Sequence, residues 1–501
     1  MAERGLSSAG ERPLRQPRAL YMLFLVEMWE RFSYYGMRAL LVFYLTKVFL
    51  FSDERAYLVY GSYTALVYAS PVLGGLVADR WLGYRKAVTL GALLMAAGHF
   101  AMAVESVQVV YLALGLLIAG NGFFKPNMST IVGKLYEKND PRRDGGFTIF
   151  YMGVNLGAWL APLVCGIVGE TYGWHYGFTL AGIGMVCGLA FFLAGQGMLE
   201  GRAEPPDPGA LRAPVIPGLD RERAIYAGAV LLALVAWALV QAGRAVGYLL
   251  GGTAAVVLAG LVLFMVLRCD RVARHKMTVA LVLTGFNVFF WAFFEQAGSS
   301  INLFTLRNVD RRLLGYEIPA TVFQSVNPAF ILLFGPVFAS LWVRLGRRGR
   351  EPSTPMKFAL GMLQLGLGFA ALYYGAWSAR DDGMVALGWL VLGYFLHTTG
   401  ELCLSPVGLS MITKLSVPGV VGLMMGTWFL SVSFAQYAAG LIATLTGIEE
   451  GAPGSNGGLE PAQTVMVYGR VFGGIALVAI AVGLLMVLLA PVLRRGMHDV
   501  H

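Results

Sequence analysis

The chain has 501 residues, of which 57% are hydrophobic and only 13% are charged. Soluble domains carry about a quarter charged residues, so this composition excludes an ordinary cytosolic enzyme, a nucleic-acid-binding module and a disordered protein. The formal net charge is +9, from 38 basic and 29 acidic residues, and its meaning depends on where the basic residues lie.

Apolar stretches long enough to cross a membrane recur along the whole chain. A transmembrane helix needs about 20 mostly apolar residues, and the stretch 247–267 contains no charge at all. The pattern predicts an all-α membrane protein with fourteen transmembrane helices. Their predicted ranges are 19–48, 57–79, 86–104, 108–133, 146–169, 174–198, 222–242, 246–267, 277–306, 317–343, 356–377, 384–413, 420–446 and 464–493.

The basic residues indicate how these helices are oriented. Of the 38, 27 lie in one alternating set of loops and tails, six lie in the opposite set, and five lie within helices or at their ends. Because Lys and Arg are retained in the cytoplasm, both termini are predicted to be cytoplasmic. The first 18 residues are predicted to be a tail rather than a signal peptide. The net charge then reflects topology, and no nucleic-acid partner is expected.

Two polar linkers divide the fourteen helices into groups of six, two and six. The linker 199–221 is rich in Pro, and the linker 268–276 is basic. The predicted segments are an N-terminal tail at 1–18, a six-helix bundle at 19–198, an inserted helix pair at 222–267, a second six-helix bundle at 277–493 and a C-terminal tail at 494–501. Paired six-helix halves are typical of secondary transporters, whose substrate site lies between the halves near the membrane centre.

The first predicted helix carries a stripe of ionisable and hydroxyl-bearing residues. At roughly 3.6 residues per turn, they share one helical face; they are Glu27, Glu30, Arg31, Tyr34 and Arg38. Charged side chains inside a membrane are costly, so they usually face a water-filled cavity and mark function. The alternative is a structural network of ion pairs that holds helices together.

Three further charges, Lys125, Glu295 and Glu401, lie inside predicted helices. Counting about 1.5 Å per residue along each helix places Arg38 and Glu295 outward of the membrane centre. The same count places Lys125 and Glu401 inward of it. We therefore predict two ion pairs between the halves, Arg38–Glu295 and Lys125–Glu401, which would close opposite ends of a central cavity.

The interior charges comprise four acids and three bases. One proton makes this set neutral, and the acid with the fewest cationic neighbours takes it up most easily. This balance predicts proton-coupled transport, driven by about 2.3 kcal/mol per charge for each 100 mV. If all seven groups face one chamber, that chamber suits a small zwitterion, with its carboxylate on Arg38 or Lys125 and its amine on Glu401.

Several motifs resemble those of the bacterial type of the proton-dependent oligopeptide transporters, a family of the major facilitator superfamily. The run Glu27-x-x-Glu30-Arg31-Phe32-x-Tyr34-Tyr35-Gly36 matches the first-helix motif of that family completely. The run 150–158 resembles its fifth-helix signature, with Val154 and Ala158 in place of the usual Ile and Ser. Three further matching runs lie at 74–83, 121–127 and 400–408.

The resemblance implies the major facilitator fold and a symporter of di- and tripeptides that works by alternating access as a monomer in the bacterial inner membrane. It implies that Arg38 and Lys125 bind the peptide C-terminus. The residues implied to bind the N-terminus are Asn155, Asn327 and Glu401. Those implied to line side-chain pockets are Tyr34, Tyr35, Tyr68, Trp291 and Trp428. Those implied to couple protons are Glu27, Glu30 and Arg31, with Glu295 contributing through Arg38.

Two features of the sequence bear on the alternatives. Animal relatives carry a His where this chain has Gly61, so proton coupling is expected to depend on carboxylates. A transporter of another small solute, such as nitrate, an amino acid or a drug, is the main alternative function. A membrane enzyme is not expected, because the chain lacks a metal-binding His cluster and a phosphate-binding loop. No cofactor is expected besides the coupling proton, and His99 and His397 are interpreted as structural residues.

Overall fold

The computed structural model describes residues 15–137, 140–417, 419–448, 460–498 and 500. Most of the predicted N-terminal tail, including Arg4 and Arg12, and two residues of the predicted C-terminal tail lie outside the described residues. The side chains at positions 406 and 407 of the last family motif also lie outside them.

The first part of the chain is helical and contains short π and 3₁₀ segments where helices are interrupted. Its helices are α1 (Arg18–Lys47), α2 (Asp53–Ala69), α3 (Pro71–Val77) with a π segment at Ala78–Leu82, α4 (Tyr84–Met102), α5 (Val107–Lys134), α6 (Arg143–Ala161) with a π segment at Pro162–Gly166, α7 (Ile167–Tyr172) and α8 (Trp174–Gly195) with a 3₁₀ turn at Gln196–Leu199. The next helices are α9 (Pro208–Arg212), α10 (Arg221–Gln241) and α11 (Gly243–Arg268).

The last part of the chain follows the same plan. Its helices are α12 (Arg271–Phe294) with a 3₁₀ turn at Glu295–Gly298, α13 (Ser300–Asn308), α14 (Val326–Arg347) preceded by a 3₁₀ segment at Ala320–Ser325, α15 (Thr354–Ser378), α16 (Leu387–Leu415), α17 (Val421–Thr444) and α18 (Pro461–Gly496).

Short strands occur only in the connections of the described part. The strands are β1 (Pro214–Ile216), β2 (Leu219–Asp220), β3 (Val309–Asp310), β4 (Arg312–Leu313), β5 (Tyr316–Glu317) and β6 (Val385–Ala386). The pairs β1–β2 and β4–β5 are antiparallel, and β3–β6 is parallel.

Ten helical stretches in the described part of the chain are long and apolar enough to cross a membrane. Four other long helices, α1, α4, α16 and α17, occupy the remaining predicted ranges. When each helix is taken together with the short helical segments that adjoin it, the largest difference from a predicted boundary is at the start of α12, which begins at Arg271 rather than at 277. The protein is therefore a mostly helical, multi-pass membrane protein.

The long helices pack in two groups, with α10 and α11 beside them. Helix α1 packs against α6 and α8, and α4 packs against α5 and α8, whereas α15 packs against α16 and α18. The groups meet where α2 packs on α17 and α6 packs on α14. Helix α10 lies on α5, and at Gly115 a Cβ atom would meet the backbone of Ala233. Helix α11 contacts α17 and α2.

Three of the helix interruptions, at Pro162–Gly166, Glu295–Gly298 and Ala320–Ser325, lie where the two groups face each other. Helix α12 ends at Phe294 and is followed by the 3₁₀ turn Glu295–Gly298, which Ser299, with dihedral angles φ −126° and ψ −96°, separates from α13. Irregular backbone is tolerated at membrane depth only where it is buried in protein or lines a cavity. These breaks therefore indicate where a cavity lies.

Candidate functional site

A cavity of about 230 Å³ lies between the two groups of helices. It is bordered by three helix interruptions, the π segment at Pro162 and the 3₁₀ segments at Glu295–Gly298 and at Gln324. The residues of its wall that the sequence predicted are Tyr35, Arg38, Tyr68, Asn155, Trp291, Glu295, Asn327 and Glu401. Both groups of helices thus contribute predicted residues to one cavity.

One side of the cavity is occupied by a buried ion pair between Arg38 of α1 and Glu295 at the end of α12. Arg38 Nε also donates a hydrogen bond of 2.5 Å to the hydroxyl oxygen of Tyr60. A Cβ atom at Gly298 would overlap that hydroxyl and would lie 3.0 Å from Arg38 Nη2. The first predicted ion pair is therefore present, and Gly298 leaves room for it.

The other acidic residue of the cavity wall, Glu401, has an amide partner instead of a cation. Asn327 Nδ2 donates hydrogen bonds to Glu401 Oε2 at 3.1 Å and to Thr398 Oγ1 at 2.9 Å. Among the described residues no cation lies within ion-pair distance of this buried carboxylate. The ammonium of Lys125 lies 4.5 Å from the centroid of the Tyr68 ring instead. The second predicted ion pair, Lys125–Glu401, is not formed in this structure.

The charged residues near the start of α1 form a separate cluster beside the cavity. Arg31 Nη2 donates to Glu30 Oε1 at 2.5 Å, and its Nε lies 3.4 Å from Glu27 Oε1. Asn121 Nδ2 reaches the same Glu30 oxygen at 3.5 Å. The second oxygen of Glu27 is buried and has no hydrogen-bond partner in the described structure.

The expectation that seven interior charges line one chamber is thus only partly met. Arg38, Glu295 and Glu401 line the cavity, whereas the other four charges lie outside its wall. The reason is that Glu27 and Glu30 lie about two to three helical turns before Arg38, and both share the guanidinium of Arg31. A common helical face does not fix whether its two ends open into the same space.

Three residues predicted to bind substrate lie outside the cavity wall. Lys125 is held against Tyr68, as described above. The centroid of the Tyr34 ring lies 5.2 Å from Cζ of the Arg31 guanidinium, and the buried hydroxyl of Tyr34 has no partner in the described structure. Trp428 is buried, and its ring lies 2.7 Å from the position that a Cβ atom would take at Gly408.

The wall also contains residues that the sequence reasoning did not select. Tyr151 precedes Asn155 by one helical turn, and Asn155 Nδ2 donates to its carbonyl oxygen at 3.0 Å. His397, interpreted above as structural, precedes Glu401 by one turn, lines the cavity and has a buried Nε2 atom without a partner. A search one turn on either side of each polar residue would have found both, because such neighbours share a helical face.

Contacts between the two groups close the side of the cavity that contains Asp53. Arg307 Nη1 donates to Asp53 Oδ2 at 2.5 Å, and its Nη2 donates to Asp53 Oδ1 at 2.9 Å. Nearby, the carboxylate of Glu170 accepts hydrogen bonds from the Thr321 backbone N–H at 2.8 Å and from its hydroxyl at 2.6 Å. Each contact joins a residue of the first group to a residue of the second.

Helices α2 and α17 approach most closely at Gly61 and Gly440. A Cβ atom at Gly61 would lie 2.8 Å from the Cα atom of Gly440. Hence no side chain fits at position 61 in this arrangement.

In the described part of the chain, the polar contacts between the two groups lie at the cavity or on the Asp53 side of it. No three His, Cys, Asp or Glu side chains come together there as a metal site would require.

Comparisons with known proteins place this geometry among transporters. The profile of PTR2, the POT family, matches residues 85–453. "Dipeptide and tripeptide permease B" of Edwardsiella piscicida is 34% identical over 493 residues, which cover 97% of each chain. A crystal structure of a variant of peptide transporter POT with alafosfalin has a TM-score of 0.82 and 35% identity, and the match covers 99% of this chain and 97% of that one. The structure of a POT family transporter in complex with 5-aminolevulinic acid has a TM-score of 0.78 and 30% identity, and the match covers 95% of this chain and 97% of that one.

Proposed function

Because the chain belongs to the POT family, whose members are transporters rather than enzymes, we propose that it is a proton-coupled symporter of di- and tripeptides. The single observation that carries this proposal is the arrangement of opposite charges in the cavity. Arg38 lies on one side, and Glu401, which has no cationic partner among the described residues, lies on the other.

This arrangement suits a small zwitterion. The ammonium group of a peptide would supply the cation that Glu401 lacks, with Asn327 and Asn155 as neighbouring amide partners. The peptide carboxylate would compete with Glu295 for Arg38, and Lys125 would approach it from the side of Tyr68. Tyr35, Tyr68 and Trp291 would contact side chains. The cavity of about 230 Å³ lies below the typical ligand-pocket range of roughly 300–1,000 Å³, which favours a short ligand.

The ligands bound to similar proteins agree with this chemistry. 5-Aminolevulinic acid, which is bound to one POT family transporter, carries both an amine and a carboxylate. A purely anionic substrate such as nitrate would leave Glu401 without a counter-charge. A free amino acid remains the competing zwitterion, and it is separated from a peptide by the experiment below.

Proton coupling is assigned to the cluster of Glu27, Glu30 and Arg31. Two carboxylates there share one guanidinium, and one Glu27 oxygen is buried without a partner. A second proton site would be Glu295, because its protonation would release Arg38 for the substrate carboxylate. The cluster and Glu295 both lie on helices that contact the cavity, so a proton and a peptide would affect the same helices.

The membrane arrangement follows from the same proposal. The chain would cross the bacterial inner membrane fourteen times in the major facilitator fold, as two six-helix bundles with the inserted pair α10–α11, and both termini would be cytoplasmic. It would work as a monomer by alternating access. With that orientation, Asp53, Glu170 and Gly61 would lie toward the outside, and the contacts there would correspond to a state closed to the outside. In the opposite state, Lys125 and Glu401 would form the inner ion pair.

Competition during uptake tests the proposed substrate class. Purified protein in liposomes, with an inside-negative potential and an acidic exterior, would take up radiolabelled dialanine. Unlabelled di- and tripeptides should compete, whereas alanine and nitrate should not. If alanine competes as well as dialanine does, the proposed peptide substrate is wrong and the substrate is a free amino acid. If the rate of uptake does not depend on the proton gradient, the proposed coupling of transport to protons is wrong.

A further inference from the structure

A second pocket, of about 520 Å³, lies at one end of the second group of helices. It is formed where the end of α18 meets the start of α15, and its wall includes Ser353, Arg494, Arg495 and His498. We call it the basic pocket. With the topology proposed above, it faces the cytoplasmic leaflet of the membrane.

The charges of the basic pocket are not balanced within the described part of the chain. Neither Arg494 nor Arg495 has a carboxylate within ion-pair distance there, and both side chains are exposed. His498 adds a ring whose Nε2 atom lies 3.2 Å from Nδ1 of His275, so that contact holds the ring in place. An anion between these side chains would therefore meet several donors.

The floor and the surroundings of the basic pocket are apolar. Met356, Ala490 and Pro491 contribute to its wall. Along α18, within two turns of Arg494, Leu488 is 74% exposed and Val492 is 63% exposed. In a membrane-spanning helix these exposed side chains face lipid tails. The pocket thus combines an apolar, lipid-facing flank with two guanidinium groups that lack a carboxylate partner in the part of the chain that the structure describes.

A comparable pocket elsewhere in the molecule lacks this imbalance. It contains Arg85 and Lys86, but Arg85 pairs with Glu204 at 2.8 Å and Lys86 pairs with Glu222 at 2.6 Å. An anion there would have to compete with carboxylates already in place. The basic pocket is the better anion site because its guanidinium groups have no carboxylate partner among the described residues.

We propose that the basic pocket binds the phosphate of an anionic phospholipid of the cytoplasmic leaflet, whose acyl chains lie along Leu488 and Val492. Arg matches the geometry of phosphate oxygens through two parallel N–H donors, and basic pockets between helices on the cytoplasmic side are suited to lipid headgroups. The proposal requires that α18 crosses the membrane with this end inside, but it does not depend on which solute is transported.

Native mass spectrometry of the full-length chain in detergent tests this proposal, with phosphatidylglycerol and phosphatidylcholine as the added lipids. Arg494→Gln together with Arg495→Gln should weaken the tightest phosphatidylglycerol binding about tenfold or more, because the two phosphate donors are lost. Phosphatidylcholine binding should change little, because its headgroup is neutral overall.

The matched control is Arg347→Gln together with Arg348→Gln. These two Arg residues are also exposed and adjacent, and they lie at the same end of another membrane helix, α14, but line no part of the basic pocket. Their removal should leave the tightest phosphatidylglycerol binding within about twofold of the unmodified protein. If both double variants lose the same affinity for phosphatidylglycerol, the proposed site is wrong, and the effect reflects only the general positive charge of the surface.

Two further outcomes decide the identity of the ligand. Displacement of phosphatidylglycerol by millimolar inorganic phosphate would show that a free anion, not a lipid, occupies the pocket. If the Gln double variant does not fold, Arg494→Lys with Arg495→Lys retains the charge and loses the paired donors. A clear loss of affinity in that variant, smaller than tenfold, supports the proposal, and unchanged affinity contradicts it.

Discussion

Arg38 and Glu295 lie 257 positions apart in the sequence and form a buried ion pair at the cavity. Arg38 belongs to the first group of helices, and Glu295 lies at the break that ends α12 in the second group. Tyr60 holds the same guanidinium through a hydrogen bond. The pair is both a link between the two groups and the place where a substrate carboxylate would compete.

Breaking this pair should open the side of the cavity that contains Asp53. In the Glu295→Gln variant, Arg38 would remain buried without its counter-charge, and removal of one partner of a buried pair costs about 3–5 kcal/mol. We expect the closed arrangement to lose population. Spin labels at the exposed positions Leu50 and Leu445, one in each group, should show a longer distance component by pulsed electron resonance in a cysteine-free background.

The control for this prediction is Glu317→Gln. Glu317 also pairs with an Arg, Arg311, but both lie in the second group and Glu317 is exposed. Its loss should leave the distance distribution unchanged. An unaltered distribution in the Glu295→Gln variant would contradict this prediction and would mean that other contacts on the same side, such as Asp53–Arg307, hold it closed without this pair.

A single methyl group at Gly61 should have a similar effect by a steric route. In Gly61→Ala the new Cβ atom would lie 2.8 Å from the Cα atom of Gly440, so α2 and α17 must separate. The spin labels at Leu50 and Leu445 should again show a longer distance component. Gly474→Ala is the control, because no atom lies within 4 Å of its added Cβ. That control should raise stability slightly, since Ala favours a helix by about 1 kcal/mol over Gly.

The role of Glu401 predicts a change in selectivity rather than a general loss. In Glu401→Gln, affinity for dialanine should fall roughly tenfold or more, because hydrogen bonds to charged groups are worth about 1.5–3 kcal/mol. N-acetyl-dialanine has no ammonium group, and its weaker binding should hardly change. Equilibrium competition against a labelled peptide measures both. An equal fall for the two ligands would place Glu401 in a structural role.

Proton coupling predicts a split between two transport assays. Glu27→Gln removes a carboxylate whose second oxygen has no partner in the described structure. Uptake driven by a proton gradient should be abolished, whereas exchange of labelled for unlabelled peptide should persist because exchange needs no net proton movement. Glu200→Gln, in the exposed connection after α8, should behave like the unmodified protein. Normal gradient-driven uptake by Glu27→Gln would remove this residue from the proton path.

Much of the candidate site could be predicted because burying a charge in a membrane is costly. The positions of Arg38 and Glu295 along their helices were enough to predict their pairing, and the structure contains it. The same arithmetic predicted Lys125–Glu401, which the described structure does not contain, because Lys125 lies against Tyr68 and Asn327 is the partner of Glu401. Sequence reasoning gives the pairs that can form, and it does not state which of them forms at a given time.

The apolar runs and the interior charges by themselves determined the long helices and the residues that could face a cavity, since both follow from the energetics of lipid and from helical periodicity. Only the tertiary structure decided that Glu27, Glu30 and Arg31 cluster beside the cavity, and that His397 enters its wall while Trp428 does not. The physical reason is that periodicity fixes the direction of a side chain around its own helix. The space in front of it depends on how distant helices pack and where they are interrupted, as at Glu295.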